Sequence, residues 1–488
     1  MTEKGSIVNA SLKLNAILNV IRQLSTLVFP LITFPYVTRI LQSENYGKIN
    51  YSSSINSYFA LIAALGFSLY AMREGAGLRD NKKDFTNFAN QIFTLNIGST
   101  IVAILLELIF LLFWKGKIEY KILMAIYCVG YICSTLGVEW ICNIYEDYLY
   151  ITIRTIIIQI LSMILLFTLV HNSNDFYIYA MIQVFSSSAG YIFSFFYVRK
   201  YTRLKLVRVQ NWKKHFLPIL ILFSNSALVS IYLNSDVTIL GTFKGDAVVG
   251  IYTVAVNIYS IVKNCLNAIN GVTIPRLTYY IRTNNKKDFK ILADNVFKMV
   301  ITLGIPALTG LFLLSDNAII IISGESYLGA STALKILSIA LIMASMANLF
   351  TSGILIANGE EKKVLTCTIV GASLNISLNF IFIPMFSLNG AAFTTLVAET
   401  CVFIMSMFFS RKYYNLSNVK KTIFKVMFGS FFIIVVCKII TILDLMIFVD
   451  TLLKILVSVF VYFFIQIVLQ NDVLLEPLKN RRKRSENH

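Results

Sequence analysis

The chain has 488 residues, 57% of them hydrophobic and only 14% charged, with a mean hydropathy of +0.72. A water-soluble chain carries roughly 25% charged residues, so there is too little polar material here to coat a globule, and most of the surface must face lipid. The net charge of +18 raises nucleic acid as a partner, and the placement of the charges removes it.

Apolar stretches near the ~20 residues that cross a bilayer as helix recur along the whole sequence. They predict an all-α polytopic membrane protein with spans at 15–36, 51–70, 90–112, 121–142, 151–170, 177–198, 217–240, 249–272, 293–314, 333–356, 365–386, 390–410, 423–443 and 451–470, fourteen in all. The alternating pattern of a barrel strand is absent, and a helix satisfies its own backbone hydrogen bonds in lipid. The first apolar run is too long for a signal-peptide core, and Pro30, Pro35 and Arg39 follow it where a small-residue cleavage site would stand.

With the N-terminus placed inside, the cytoplasmic segments carry 29 Lys and Arg and the outer segments carry 5. That asymmetry follows the positive-inside rule and predicts that both termini are cytoplasmic. Cations facing the anionic inner leaflet explain the basic balance without DNA or RNA. The tail residues Lys479, Arg481, Arg482, Lys483 and Arg484 read as a juxtamembrane anchor. All seven cysteines fall inside spans, so no disulfide framework is expected, and Cys128 and Cys133 lack the further ligands of a metal site.

The pentapeptide Asn-Lys-Lys-Asp-Phe occurs at 81–85, after span 2, and again at 285–289, after span 8. Two further matches keep the order. Arg-Lys-Tyr closes span 6 at 199–201 and span 12 at 411–413, and Glu146 after span 4 corresponds to Glu360 after span 10. Six helices separate the copies, so both halves enter the membrane from the same side as parallel repeats. The expected organisation is an N-terminal six-helix lobe (1–198), a basic cytoplasmic linker (199–216), a C-terminal six-helix lobe (217–410), two additional helices (411–470) and a basic tail (471–488). Two lobes around a central cavity suit alternating access.

Polar residues recur on single helical faces. Span 1 carries Asn15, Asn19, Arg22, Thr26 and Thr33, and span 8 carries Asn257, Ser260, Asn264, Asn267 and Gly271, with Lys263 and Asn270 beside them. Span 7 adds Ser224, Asn225, Ser230, Asn234 and Asp236, and span 2 adds Ser52–Ser54, Asn56 and Ser57. A charge at mid-membrane costs at least ~2.5–3.5 kcal/mol, so these faces are expected to line a hydrated cavity. Arg22 and Lys263 then form a cationic site for a phosphate-bearing substrate, set against helix-to-helix polar contacts or snorkelling as the plainer role. Glu399, Asp236 and Glu107 are expected as ion-pair partners or as groups that take up a proton or ion. Glu139 with Trp140 reads as an interfacial anchor.

Enzyme chemistry finds little support, since the three histidines (His171, His215 and His488) form no Ser/His/Asp or zinc constellation, and no glycine-rich phosphate loop appears. No cofactor is expected. Phe34-Pro35-Tyr36-Val37-Thr38-Arg39-Ile40-Leu41 with Tyr46-Gly47, then Glu139-Trp140 to Glu146-Asp147 with Tyr150-Ile151 and Arg154, resemble segments of bacterial polysaccharide flippases of the O-antigen repeat-unit type. Phe223-Ser224-Asn225, Asp236, Leu240-Gly241, Val249-Gly250-Ile251-Tyr252 and Pro275-Arg276-Leu277 are similar to their seventh and eighth helices. The resemblance covers roughly residues 12–410. It implies membership of the multidrug/oligosaccharidyl-lipid/polysaccharide exporter superfamily and location in the bacterial cytoplasmic membrane. It further implies an undecaprenyl-pyrophosphate-linked oligosaccharide as substrate, with surrounding lipids and polysaccharide polymerase machinery as partners. Some relatives carry several cavity arginines, whereas this chain offers chiefly Arg22 and Lys263, with Arg39 at the outer rim and Arg276 on the cytoplasmic side. Drug/cation antiport is the alternative within the superfamily. A membrane-embedded glycan polymerase or ligase is the alternative outside it, and would call for a large outer loop with arginines.

Overall fold

Helices α1 (Thr2–Ala64), α2 (Phe67–Gly75), α3 (Lys82–Phe113), α4 (Ile118–Gly137), α5 (Glu139–Ile144), α6 (Tyr148–Leu169), α7 (Phe176–Tyr197) and α8 (Trp212–Lys244) make up the first part of the chain. They are followed by α9 (Asp246–Arg282), α10 (Lys286–Leu313), α11 (Ser315–Ser323), α12 (Ser331–Asn348), α13 (Glu361–Ser410), α14 (Lys420–Thr441) and α15 (Ile447–Val468). The computed structural model describes residues 2–209, 212–416 and 419–473, and among these there is no strand. The basic tail residues 479–484 lie outside them. Eleven helical stretches among the described residues are long and apolar enough to cross a membrane.

Two of the helices are too long for one crossing: α1 has 63 residues and α13 has 50. Each contains one residue with positive φ, Gln42 at 60° and Ser387 at 56°, and there the chain doubles back. The rings of Phe34 and Tyr46 lie 6.3 Å apart, where a straight helix would separate them by about 18 Å. In α13, Thr394 donates to Asn379 across fifteen residues. The segment 37–50, expected as an outer loop, is therefore helix on both sides of Gln42. Its own side chains, with Tyr36 just before it, tie it to its surroundings: Tyr36 Oη donates to Val170 O (2.7 Å), Asn45 Nδ2 to Ser173 O (2.8 Å), and buried Lys48 sits 3.1 Å from Glu119.

By its internal packing the chain divides into two compact units. The first runs to Gly241 and includes Gly245–Gly250; the second comprises Thr242–Lys244 and the chain from Ile251 onward.

The repeated pentapeptide has the same structure in both units. Asn81 caps α3, its side chain accepting from the backbone nitrogens of Lys83 (3.1 Å) and Asp84 (3.3 Å), while its Nδ2 donates to Asp84 Oδ2. Asn285 caps α10 in the same way, accepting from Asp288 N (3.2 Å) and donating to Asp288 Oδ2 (2.8 Å). Each aspartate also lies in the first helical turn, where negative charge suits the helix dipole. The phenylalanine that ends the motif is buried in both units. The match extends further than the motif: Phe85, Ala89, Ile92 and Phe93 are buried together in one core, and Phe289, Ala293, Val296 and Phe297 in the other. Those are the i, i+4, i+7 and i+8 positions of one helix face. Asn81→Ala and Asn285→Ala are each expected to lower stability by about 1 kcal/mol, with the double variant close to the sum. Thermal unfolding in detergent measures this.

The other two matches touch each other. Tyr201 Oη donates to Asp147 Oδ2 (2.7 Å), and Tyr413 Oη donates to Glu360 Oε1. Glu360 is thus the counterpart of Asp147, one residue on from the Glu146 that sequence alignment paired with it; Glu146 instead meets Arg79 at 3.1 Å. Burial pushes the Asp147 carboxyl up, but hydrogen bonds from Tyr197, Tyr201 and Lys200 outweigh it and hold the group below its ordinary range. Lys363 and Tyr413 do the same for Glu360. Both carboxylates are depressed in the folded state, so their contribution is complete above about pH 4 and is lost as pH falls through the lowered values. Limited proteolysis of the turns at 143–148 and 357–361 is expected to stay constant from neutral to mildly acidic pH and to rise only below about pH 4. Tyr201→Phe and Tyr413→Phe move that onset upward.

Candidate functional site

Three charged side chains from three helices converge in the first unit. Val138, with φ of 35°, breaks the chain between α4 and α5 and turns Glu139 inward at the start of α5. Arg154, on the second turn of α6, places Nη2 2.5 Å from Glu139 Oε2, and Arg22 on α1 places Nη1 3.5 Å from Glu139 Oε1. The second Arg154 nitrogen donates to Gly190 O (3.0 Å) and to Ser194 on α7. Its guanidinium also lies over the Tyr150 ring at 5.7 Å. Gly190 makes this approach possible, since a Cβ there would stand 2.9 Å from Arg154 Nε. Arg154 is 10% exposed and Glu139 19%, so the fork is nearly withdrawn from water, where charge-assisted bonds are strong.

These residues open onto a cavity of about 420 Å³, whose wall also includes Thr26, Thr33, Gln159, Gln183 and Tyr191. Two guanidiniums and one carboxylate leave one net positive charge facing a wall that mixes hydroxyls and amides with apolar side chains such as Phe29, Ile158 and Ile182. Such a wall accepts an anion and the hydroxyl groups attached to it. Glu139, expected as an interfacial anchor, instead bridges the two arginines, and Trp140 beside it is buried. Arg154 was expected only as part of the segment that resembles the flippases, and not as a site residue.

The other expected site residues are placed as follows. Asn19, Asn15 and Asn225 have side chains outside the described residues. Arg39 is exposed on α1. Lys263 on α9, in the second unit, stands 3.9 Å from Glu399 on α13 and 4.9 Å above the Tyr259 ring. Asn264 is exposed, and Asn267 is half-buried with its Oδ1 unbonded. Nearby, Asn270 Nδ2 donates to Asn348 Oδ1 (3.1 Å). Arg276 is exposed and donates to Tyr280 Oη (3.1 Å).

Glu107 on α3 is fully buried in the first unit, accepting from Asn56 Nδ2 (3.1 Å) and Tyr131 Oη (2.5 Å). Asp236 is buried on α8. The polar stripe of span 2 also differs from expectation: Ser52, Ser54 and Asn56 are buried within the first unit's helix packing. Ser54 meets Thr238 of α8 (3.0 Å) and Asn56 meets Glu107. Short polar side chains act there as links between helices, which lets backbones approach closely.

The profile of the polysaccharide biosynthesis protein family matches residues 12–281, and that of the MatE family matches residues 219–381. The chain is 24% identical over 408 residues to a protein of Escherichia coli K12 named "Putative O-antigen transporter", covering 82% of this chain and 97% of that one. A Staphylococcus aureus protein, "Capsular polysaccharide biosynthesis protein CapF", is 24% identical over 262 residues, 52% of this chain and 65% of its own length. Among solved structures, the inward closed conformation of the lipid II flippase MurJ superposes with a TM-score of 0.75 at 17% identity, over 94% of this chain and 99% of that one. An inward-facing multidrug resistance MATE transporter of the MOP superfamily gives 0.63 at 15% identity, over 80% and 97%. A family profile that spans more than half the sequence, with these folds beside it, places the chain: it belongs to the polysaccharide biosynthesis protein family and has the fold of the multidrug/oligosaccharidyl-lipid/polysaccharide exporter superfamily.

Proposed function

We propose that the chain flips undecaprenyl-pyrophosphate-linked oligosaccharide repeat units from the inner to the outer leaflet of the bacterial cytoplasmic membrane, for surface polysaccharide assembly. The observation that carries this reading is the Arg22–Glu139–Arg154 cluster, a net cation beside a cavity whose mixed wall includes hydroxyls and amides. A pyrophosphate with sugars attached has the complementary chemistry. Names of relatives point the same way, being an O-antigen transporter and a capsular polysaccharide protein. The internal repeat supports two halves, 1–198 and 217–410, working by alternating access, with the termini in the cytoplasm and a polymerase downstream. Lys263, Asn264, Asn267, Arg39 and Arg276 would then contact substrate along its route, and Glu399, Asp236 or Glu107 would couple it to an ion.

Drug/cation antiport is the second reading, favoured by the MatE match over 219–381 and by buried Glu107. Reconstitution separates the two. Proteoliposomes holding the purified chain are expected to expose a lipid-linked oligosaccharide, loaded on the inner leaflet, to an added glycosidase. Export of a cationic dye under an ion gradient, with no exposure of the glycan, would reject the flippase reading.

A further inference from the structure

Each unit contains the same junction, where the capped helix, the acidic turn and the tyrosine that bonds it meet. In the first unit the junction is filled. Tyr145 stacks on Tyr201 with centroids 4.1 Å apart and planes 8° apart, and Thr202 bonds Thr86 at 2.9 Å. The chain beyond lies along α3, with Lys205 N on Asn90 and Val207 N on Thr94. In the second unit, at the same register, Asn358 stands for Tyr145, Lys290 for Thr86 and Tyr414 for Thr202. The aromatic stack is gone, and a pocket of about 540 Å³ is present, a size typical of small-molecule sites.

Lys286, Lys290, Lys412, Tyr280, Tyr413 and Asn358 line it, and no carboxylate is among its lining residues. The acids nearest in sequence are engaged elsewhere: Glu360 with Tyr413 and Lys363, Asp288 with Asn285, and Asp294 with Tyr414 (2.5 Å).

We infer that this pocket binds a phosphorylated sugar. Three ammonium groups supply point charges for phosphate. The Tyr413 ring has no aromatic partner here, and Lys412 lies 5.5 Å and Lys363 5.7 Å from its centroid, so an aromatic surface and ammonium groups meet at one place; the amides suit a sugar's hydroxyls. A soluble nucleoside diphosphate sugar and the glycosyl diphosphate head of a lipid-linked glycan share this chemistry. The inference goes beyond the transport reading; because the lipid-linked ligand is also the substrate proposed for the Arg22–Arg154 cavity, its binding counts for this pocket only where Lys290→Thr weakens it.

The test is titration of the full chain in nanodiscs with UDP-glucose, with a polyprenyl-diphosphate-linked disaccharide, with inorganic pyrophosphate and with glucose. One or both sugar phosphates are expected to bind saturably, and which one binds identifies the source. Asn358→Tyr and Lys290→Thr restore the first unit's residues. Each is expected to weaken that binding by about tenfold or more, the worth of a lost charge-assisted contact or a filled site, with the thermal midpoint unchanged or raised. Lys290 is exposed, so its replacement leaves folding intact. The proposal fails if neither sugar phosphate binds, if pyrophosphate alone binds as tightly, or if Lys290→Thr binds like the wild type.

Discussion

Replacing Gly47 or Gly250 with alanine is expected to cost at least about 3 kcal/mol and to abolish recovery of folded protein after extraction. A Cβ on Gly47 would stand 1.8 Å from the carbonyl oxygen of Asp246, and one on Gly250 would stand 2.0 Å from that of Ser43. Backbone meets backbone at this crossing, so no change of rotamer relieves the clash. The second arm of α1 and the start of α9 would have to move apart. Their separation would break the bond from Tyr120 on α4 to Asp246 at the start of α9 (2.6 Å). Gly77→Ala is the control, because nothing lies within 4 Å of its Cβ position. Unfolding of Gly47→Ala at the wild-type temperature would show that the close crossing does not form.

Arg154→Ala has the second largest effect. It leaves Glu139 with Arg22 alone at 3.5 Å and removes the links to Gly190 and Ser194, so α6, α5 and α7 lose their common tie. A loss of about 2–3 kcal/mol follows from breaking a largely buried charged pair, and translocation is expected to fall more than tenfold. Arg154→Lys should recover little. A single ammonium cannot serve Glu139 on one side and the α7 groups on the other, as the planar fork does. Measuring flipping and thermal midpoint together separates the roles. If Arg154→Ala loses stability but flips at the wild-type rate, the cluster is a structural tie and not a substrate site.

Much of the architecture was legible because lipid imposes one simple demand, a long apolar helix, and the expected spans are largely helical, although 51–70 is interrupted at Leu65–Gly66 and 121–142 at Val138. What composition could not convey was where a helix continues outside the lipid. Residues 37–50 carry Arg39, Glu44 and Lys48 and looked like loop, yet tertiary ties from Tyr36, Asn45 and Lys48 keep them helical. The site was legible only in part. Arg22 stood out because a cation in an apolar run is costly. Glu139 and Arg154 sit at span ends where charge is cheap, and their meeting depends on contacts across more than a hundred residues from Arg22, which no local pattern encodes. The register of the acidic pair was one residue off because Glu146 and Asp147 are adjacent carboxylates, and only their partners, Arg79 for Glu146 and Tyr201 for Asp147, tell them apart.

The two asparagine caps bear on how an internal repeat stays visible. Within lipid one apolar side chain replaces another at little cost, so descendant copies drift until their spans share only a composition. At a helix end the capping geometry accepts few residue types, and the buried phenylalanine four positions on admits few shapes. Divergence is therefore slowest just outside the bilayer. In chains of this kind, common ancestry of two halves is best sought in the short polar strings between spans, which a search tuned to hydrophobic segments discards first.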